Sequence, residues 1–396
     1  VILDGTAPIN STWTIHQGSI YKTTLNEDIW QLFVDQNEMI MARWPNARFD
    51  DGTIWNQEEN WAHGDENAST NGAEVDDPHG DIVLADLIFS VEGALAILNT
   101  GSFRSYTKEV TGHTQGSNSF SFDPIPESAY RTKHHYYFFE NKLEFLDQPG
   151  EWFYDHESME LYFWAPENAN PTGLNIRGKT QSYFFDVSNS NVFKIKGLNF
   201  FGTTFNIHNS NYSEVDSCNF MYPSCYKRML GVTGVEPEMS RINSSSDCIV
   251  KRCSFQYTDG SAIETDGGNN TIQDCYFYHI DYTVTDLSSV MTTLKMGGND
   301  NIFRQNTVHK TGASSGLNPG NMALVEYNDM YDTGYLQSDG AIIHYMENQQ
   351  IDSETAYNWV HDSPKYGIRF DGDGDGHSGT MHHNVSWDIK SGHMLK

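Results

Sequence analysis

Polar residues capable of acid–base or ionic chemistry recur directly after an aliphatic residue in the second half of the chain. Successive side chains of a strand point to opposite faces, so an inward aliphatic residue places the next side chain outward. Equivalent residues of stacked parallel strands lie about 4.8 Å apart. The pattern predicts one outward row that lines a binding groove: Glu264, Lys295, Asn318, His344, Arg369 and Lys396.

Carboxyl groups in and near this row could act as an acid and a base. Glu264 and Asp266 are two residues apart, so both face outward if their segment is a strand. Glycoside hydrolysis uses two carboxyl groups about 5–9.5 Å apart. We expect Glu264 and Asp266 on one side of the groove to act with a second set on the other side: Asp339, His344 and Asp371. The simpler alternative for any single carboxylate is a solvated position on a sheet face.

The basic members of the row predict an anionic substrate. Only 24 residues of the chain are Lys or Arg, yet Lys295, Arg369 and Lys396 fall in this row. Arginine binds sulfate or carboxylate groups in bidentate fashion. Asn318 and Tyr345 complete the predicted substrate-binding set, with a Tyr ring that could stack on a sugar. The same role is considered for Phe370, Trp359 and Trp387, and packing inside the protein is the alternative for each aromatic residue.

An alternating Asp-Gly segment at residues 371–376 suggests calcium binding. Ca²⁺ prefers clustered carboxylate oxygens, so Asp371, Asp373 and Asp375 are candidate ligands. The segment departs from an EF-hand loop, because the twelfth position holds His382 instead of Glu. A glycine-rich turn with solvated carboxylates is the alternative. The predicted chemistry requires no cofactor, and the sequence has no phosphate-binding glycine loop and no zinc HExxH motif.

A second repeat indicates which elements position these residues. A Cys or Asn recurs before short strand-type segments, at Cys218, Cys253, Cys275, Asn306, Asn328, Asn358 and Asn384. The intervals range from 22 residues (Cys253 to Cys275) to 35 residues (Cys218 to Cys253), which suits coils of a parallel β-helix with loop insertions. We predict that the thiols stack inside the coils without disulfide bonds, and that the Asn amides form a ladder that binds backbone groups of the turns.

The first half of the chain lacks this repeat and carries aromatic strand pairs instead. Residues 29–34 and 39–46 flank a predicted hairpin loop, and residues 151–155 and 161–166 form a second predicted hairpin. The opening residues resemble a β-helix strand and turn. The predicted fold is therefore all-β. It has a possible first β-helix strand in residues 1–10, a β-rich, sandwich-like module inserted at residues 11–178, and parallel β-helix coils over residues 179–396 that carry the groove.

Composition restricts the partners of the protein. The chain has 24 Lys and Arg against 53 Asp and Glu, a formal net charge of −29. Duplex nucleic acid and anionic membrane surfaces are bound largely through basic residues, so we expect neither as a partner. No apolar run approaches the roughly 20 residues of a membrane span. The excess of acidic residues suits a saline setting, and the alternative is simply an acidic soluble protein. The chain starts at Val1 without a signal peptide, so we expect that any targeting segment has been removed or left out, and that the protein is secreted or periplasmic.

Several segments together resemble a known group of enzymes. They are Gln31–Asp35, Ala42–Asn46, Glu151–Asp155, Leu161–Pro166, Gly367–Asp373 and His383–Val385. The chain resembles right-handed parallel β-helix carbohydrate-active enzymes, in particular glycoside hydrolases of the fucosidase/xylanase type and of the marine endo-1,3-fucanase type. The resemblance implies a right-handed β-helix and an endo-acting hydrolase, from a bacterium of possibly marine origin, that cleaves a sulfated or otherwise anionic polysaccharide such as a fucan.

Two other functions fit the same residues. A polysaccharide lyase would use Lys295, His344 or Arg369 in β-elimination beside a uronate carboxylate, often with calcium. A non-catalytic glycan-binding solenoid would use the row for binding alone. Lyase products absorb in the ultraviolet, hydrolase products do not, and a pure binding protein releases no new reducing ends.

Overall fold

The computed structural model describes residues 1–65, 72–125, 135–287, 291–372 and 378–395. The chain divides into two compact units. The first comprises Val1–Gly5, Gln181–Cys225 and Pro237–Lys396, and the second comprises Thr6–Thr180 and Tyr226–Glu236. Within the described ranges the α-helix is the four-residue α1 (Gln57–Asn60), and none of the helices found there has the length and apolar character needed to cross a membrane.

Strands are the main regular secondary structure of both units. After β1 (Ile2–Asp4), the second unit contains β2 (Thr6–Pro8), β3 (Thr14–Gln17), β4 (Ile20–Thr24), β5 (Leu32–Val34), β6 (Asn37–Glu38), β7 (Ile40–Met41), β8 (Arg43–Trp44), β9 (Ala62–His63), β10 (Ala73–Val75), β11 (Leu95–Asn99), β12 (Ser105–His113), β13 (Ser119–Phe122), β14 (Tyr136–Glu140), β15 (Glu151–Asp155), β16 (Glu160–Trp164) and β17 (Ile176–Lys179). Its 3₁₀ turns are Thr53–Trp55, Leu84–Asp86, Leu143–Phe145, Pro166–Asn168 and Arg228–Leu230.

The first unit continues with β18 (Tyr183–Ser188), β19 (Lys194–Lys196), β20 (Asn199–Phe201), β21 (Thr204–His208), β22 (Glu214–Asp216), β23 (Asn219–Met221), β24 (Ser240–Asn243), β25 (Ile249–Lys251), β26 (Ser254–Thr258), β27 (Ile263–Thr265), β28 (Thr271–Gln273), β29 (Tyr276–Ile280), β30 (Thr292–Met296), β31 (Ile302–Arg304), β32 (Thr307–Thr311), β33 (Ser315–Asn318), β34 (Leu324–Glu326), β35 (Asp329–Tyr331), β36 (Ala341–Met346), β37 (Glu354–Ala356), β38 (Trp359–Asp371), β39 (Thr380–His382) and β40 (Val385–Leu395).

These strands form the predicted parallel β-helix. One face runs β18-β21-β24-β27-β30-β33-β36-β38, a second runs β1-β20-β23-β26-β29-β32-β35-β38 with β40 beyond it, and a third runs β19-β22-β25-β28-β31-β34-β37-β39. The long strand β38 belongs to two faces, because a register irregularity between Ser363 and Tyr366 bends it. Ile2–Asp4 pairs in parallel with Asn199–Phe201, so the helix begins before the chain enters the second unit.

The predicted Cys and Asn columns are confirmed. All five cysteines are buried and free of disulfide bonds. The backbone N–H of Cys275 donates to Asn306 Oδ1 at 2.9 Å, and the ladder continues through Asn328, Asn358 and Asn384 at 2.9–3.0 Å. Each ladder amide therefore satisfies a buried backbone donor of the preceding coil, as buried polar groups require.

A stack of phenylalanines fills the interior of the early coils. The ring centroids of Phe200, Phe220, Phe255 and Phe277 follow one another at 4.4, 4.7 and 5.2 Å. These rings belong to one buried cluster that extends to Ile368 and Phe370 in the late coils. Burial of this continuous apolar column is the main force that holds the coils together.

The second unit confirms one predicted hairpin and corrects the other. Strands β15 and β16 pair antiparallel, with Trp152 opposite Phe163. Residues 29–34 and 39–46 do not form one hairpin. Val34 instead pairs with Asn37 in a tighter turn, and Ile40 pairs in parallel with Glu151 of β15. The alternating pattern identifies these strands, but their partners depend on distant parts of the chain.

Candidate active site

Neighbouring strands of the first face bring most of the predicted row into register. Glu264 pairs with Lys295 and Lys295 pairs with Asn318. Leu317 pairs with Ile343, which sets Asn318 beside His344, and His344 pairs with Arg369. The end of the row differs from the prediction. Met394 occupies the position beside Arg369, because β40 is shifted by two residues from the expected register. Lys396 lies outside the described residues.

Arg369 lies at the centre of a cluster of titratable groups. Its Nη1 donates to Asp339 Oδ1 at 2.7 Å, and its Nη2 donates to Asp371 Oδ2 at 2.6 Å. The Arg369 side chain is only 5% exposed, whereas the carboxyl groups of Asp339 and Asp371 are 31% and 24% exposed. A buried guanidinium thus holds two carboxylates that solvent and ligands can reach.

His344 joins the same cluster from the neighbouring strand. Its Nδ1 lies 2.8 Å from Ser315 Oγ and its Nε2 lies 3.4 Å from Asp371 Oδ2. Burial lowers the pKa of His344, although the contact with Asp371 opposes this shift. The ring is therefore neutral near pH 7. Ser315 is fully buried, so it orients the imidazole and is not placed to attack a substrate.

The turn before β36 presents Asp339 to Arg369. Its backbone is held by the buried Lys365, whose Nζ donates to the carbonyl oxygens of Gln337 and Asp339. Gly340 follows at φ 100°, and any side chain there would collide with the carbonyl oxygen of Ser314. Burial alone would raise the pKa of Asp339, but the hydrogen bonds from Arg369 and from the backbone N–H of Gly340 outweigh it and hold this pKa below its usual value. Asp339 is therefore ionised at neutral pH.

Glu264 belongs to a separate charged group on the same face. Glu264 Oε1 lies 2.8 Å from Lys295 Nζ, and Oε2 lies 3.6 Å from Arg241 Nε. Three coil steps separate Glu264 from His344, which corresponds to about 14 Å. That distance exceeds the span of one acid–base pair, so Glu264 and its exposed neighbour Asp266 are too far away to act on the same bond as Asp371.

Other predicted site residues occupy different environments. Tyr345 is fully buried in the core and hydrogen-bonded to Thr355, so it does not face a substrate. Asn318 is 5% exposed and donates to Gln349 Oε1 and to the backbone oxygen of His344, so it supports the row from below the surface. Asp373 and Asp375 lie outside the described residues. Within the described ranges, no group of three or more His, Cys, Asp or Glu residues could hold a metal ion.

Sequence reasoning missed Arg241, Ser315 and Lys365. Arg241 pairs with Glu264 on the neighbouring strand. Arg241 follows Ser240 and not an aliphatic residue, so the pattern of a polar residue after an aliphatic one does not include it. Ser315 and Lys365 point into the cluster from positions that carry no periodic signal. Pairing each strand with the one before it would have found Arg241.

Two protein-family models match separate segments of the chain. Residues 21–166 match the family model described as the GH141 insertion domain, and residues 241–394 match the right handed beta helix region. Each match covers less than half of the chain, so the first marks a similarity to that domain and the second agrees with the β-helix described above. The β-helix is therefore right-handed, as predicted. No curated protein sequence matches the chain significantly.

Two solved structures are similar to this chain to different degrees. A structure described as "Glycoside hydrolase" is 13% identical, with a TM-score of 0.68 over 99% of this chain and 82% of that one. A second, described as the complex structure of XylC with xylose, is 11% identical, with a TM-score of 0.35 over 100% of this chain and 59% of that one. The first likeness establishes the fold.

Proposed function

We propose that this protein is a glycoside hydrolase that cleaves within an anionic polysaccharide, such as a sulfated fucan, with Asp339 and Asp371 as its acid–base pair. The observation that carries the proposal is the buried Arg369, whose two terminal nitrogens each bind one of these exposed carboxylates. Perturbed titratable groups concentrate at functional sites, and Asp339 is such a group.

The spacing suits cleavage of a glycosidic bond. Two oxygens bound to the terminal nitrogens of one planar guanidinium lie no more than about 8 Å apart. Hydrolases place their carboxyl groups about 5–5.5 Å apart for a covalent route and about 6.5–9.5 Å apart for direct attack by water. An upper limit of about 8 Å is compatible with either route.

We assign the base to Asp339 and the acid to Asp371. Asp339 is ionised at neutral pH, as a base or nucleophile must be. In this assignment Asp371 holds the proton that a general acid must supply. Asp371 would donate this proton to the glycosidic oxygen as the bond to the sugar carbon breaks. Asp339 would take a proton from the attacking water or attack the carbon itself.

The group around Glu264 provides the anion-binding part of the proposed groove. Lys295 is 41% exposed and Arg241 is 25% exposed, and together they outnumber the single carboxylate between them. Lys295, the more exposed of the two cations, would attract a sulfated or carboxylated sugar despite the overall charge of −29. At about 14 Å from His344 it would bind a sugar removed from the cleaved bond, which favours a polymeric substrate.

Paired substitutions and product analysis test this function. Asp339→Asn and Asp371→Asn should each lower the release of reducing ends from a sulfated polysaccharide about 10²–10⁴-fold. Each variant keeps one carboxylate on the buried Arg369, so it should remain folded, with a melting temperature lowered by the loss of one charge-assisted hydrogen bond. Asp266→Asn is the matched control, an exposed carboxylate on the same face that should keep its activity. Lys295→Ala should raise KM on the sulfated glycan and have less effect after desulfation.

Three results would overturn the proposal. Near-normal activity of both Asp339→Asn and Asp371→Asn would place the active site elsewhere. Products that absorb in the ultraviolet would show a lyase. Tight binding of polysaccharides without any new reducing ends would show a non-catalytic glycan-binding solenoid.

A further inference from the structure

Two loops of the second unit bring three oxygen-bearing side chains together. Asn46 follows β8, Asp147 lies in the turn before β15, and Glu151 is the first residue of β15. Asn46 Nδ2 donates to Asp147 Oδ1 at 2.9 Å. Glu151 Oε2 accepts the backbone N–H groups of Asp147 and Gln148 at 3.1 and 3.2 Å. All three side chains therefore meet around Asp147.

Two oxygens of this group are buried without a hydrogen-bond partner. Glu151 is completely buried, and its Oε1 has no partner. Asn46 Oδ1 is also buried and unpartnered. The hydrogen bond from Asn46 Nδ2 to Asp147 fixes the orientation of the amide, so a flip of the side chain would only bring its oxygen against the carboxylate. Buried oxygens of this kind cost free energy unless something binds them.

The nearest basic side chain is engaged elsewhere. Arg48 donates through Nε and Nη2 to both oxygens of Asp50 at 3.0 Å, and through Nη1 to the carbonyl oxygen of Pro149 at 3.2 Å. None of its donors bonds to Asp147 or Glu151. Two acidic side chains thus lie next to each other without a basic hydrogen-bonding partner, and one of them has an oxygen directed to no donor.

We propose that Asn46, Asp147 and Glu151 form a binding site for a hard divalent cation of the calcium class. Glu151 Oε1, Asn46 Oδ1 and the Asp147 carboxylate are oxygen ligands of the type that Ca²⁺ prefers. Asp147 is exposed, so water can complete the coordination from that side. The site is distinct from the Asp-Gly segment at residues 371–376. A bound ion would link the turn at residues 147–150 to the end of β8 and stabilise the second unit.

Calorimetry and thermal unfolding of the full chain test the site. After dialysis against a chelator, the protein should bind CaCl₂ with a dissociation constant of about 10⁻⁴–10⁻³ M, the range of weakly charged extracellular sites. Its melting temperature should rise with calcium by mass action. Sodium chloride at matched ionic strength should have no such effect, and magnesium should bind more weakly, because it demands stricter octahedral geometry.

Glu151→Gln and Asp147→Asn should abolish both the binding heat and the shift. Asp147 is exposed, so its variant remains informative if Glu151→Gln fails to fold. Asp371→Asn is the control for the other acidic segment and should keep the response. The proposal is overturned if calcium up to about 10 mM has no effect, if magnesium acts as strongly as calcium, or if Asp147→Asn responds like the unmodified protein. These readouts do not involve glycan cleavage, so they are independent of the proposed hydrolase activity.

Discussion

Asp281 makes the stability of the β-helix depend on pH. Its carboxyl group is fully buried and accepts hydrogen bonds from Thr293 Oγ1 at 2.6 Å and from the backbone N–H groups of Gly312 and Ala313 at 3.1 and 3.2 Å. None of these donors is charged, and the nearby Asp259 is acidic. Burial, and then the charge of Asp259, raise the pKa of Asp281 to about 7, although the hydrogen bonds act in the opposite direction.

The size of the effect follows from proton linkage. A carboxyl group with a pKa near 3.8 in the unfolded chain and about 7 in the folded chain is protonated preferentially in the folded state. Its contribution to stability is complete below pH 3.8 and is lost as the pH rises through 7. At about 1.4 kcal/mol per unit, the loss between roughly pH 5 and pH 8 is about 3 kcal/mol.

The variant Asp281→Asn removes this titration. Urea unfolding at pH 5 and pH 8 should show that the free energy of unfolding of the unmodified protein falls by about 3 kcal/mol more than that of the variant. The Asn amide replaces one acceptor with a donor, which lowers the free energy of unfolding by roughly 1–3 kcal/mol at every pH. The quantity to compare is therefore the change in this free energy between pH 5 and pH 8. Asp300→Asn is the matched control, an exposed aspartate in the same β-helix. An equal pH dependence of Asp281→Asn and the unmodified protein would refute the reasoning.

Two further predictions concern the columns inside the coils. Asn328→Ala removes the acceptor for the backbone N–H of Asn306 and the donor to the carbonyl oxygen of Phe303. We expect the free energy of unfolding, measured in urea, to fall by about 2–4 kcal/mol. A decrease below about 1 kcal/mol would contradict the role of the ladder. All five thiols are buried, so a thiol reagent should label none in the folded protein and all five in denaturant without reductant. Rapid labelling of the folded protein, or fewer than five reactive thiols after unfolding, would contradict the free and buried state.

The repeat pattern was sufficient to predict the β-helix and its ladders. A β-helix strand is identified by local alternation, and each Asn marks one turn of one coil, so the columns at Cys275, Asn306 and Asn328 follow from spacing alone. A second, shorter ladder was missed. Asn270 Oδ1 accepts the N–H of Cys248, and Asn301 Oδ1 accepts the N–H of Asn270. These two Asn residues lie outside the predicted column of Cys and Asn residues.

The candidate site was predictable only in part. The row from Glu264 to Arg369 follows from strand register, since equivalent residues of adjacent coils must be neighbours. The strand register does not predict how deeply the side chains of this row are buried. His344 was expected in an outward row that lines a groove, yet it is only 3% exposed. Alternation likewise does not reveal the register of β40, whose pairing with β38 is irregular between Ser363 and Tyr366.

The coil repeat could be predicted from the amino-acid sequence alone. The same holds for the inward and outward alternation of the strands and for the types of side chain on the first face. These properties depend on residues close together in the chain. Three features required the folded chain. Asp339 and Asp371 share Arg369, and Ile40 pairs with β15. Glu264 lies with Arg241 and Lys295 about 14 Å from His344. Such contacts join loops and strands distant in sequence, and their geometry is set by how each connection folds between coils, for which no periodic pattern exists.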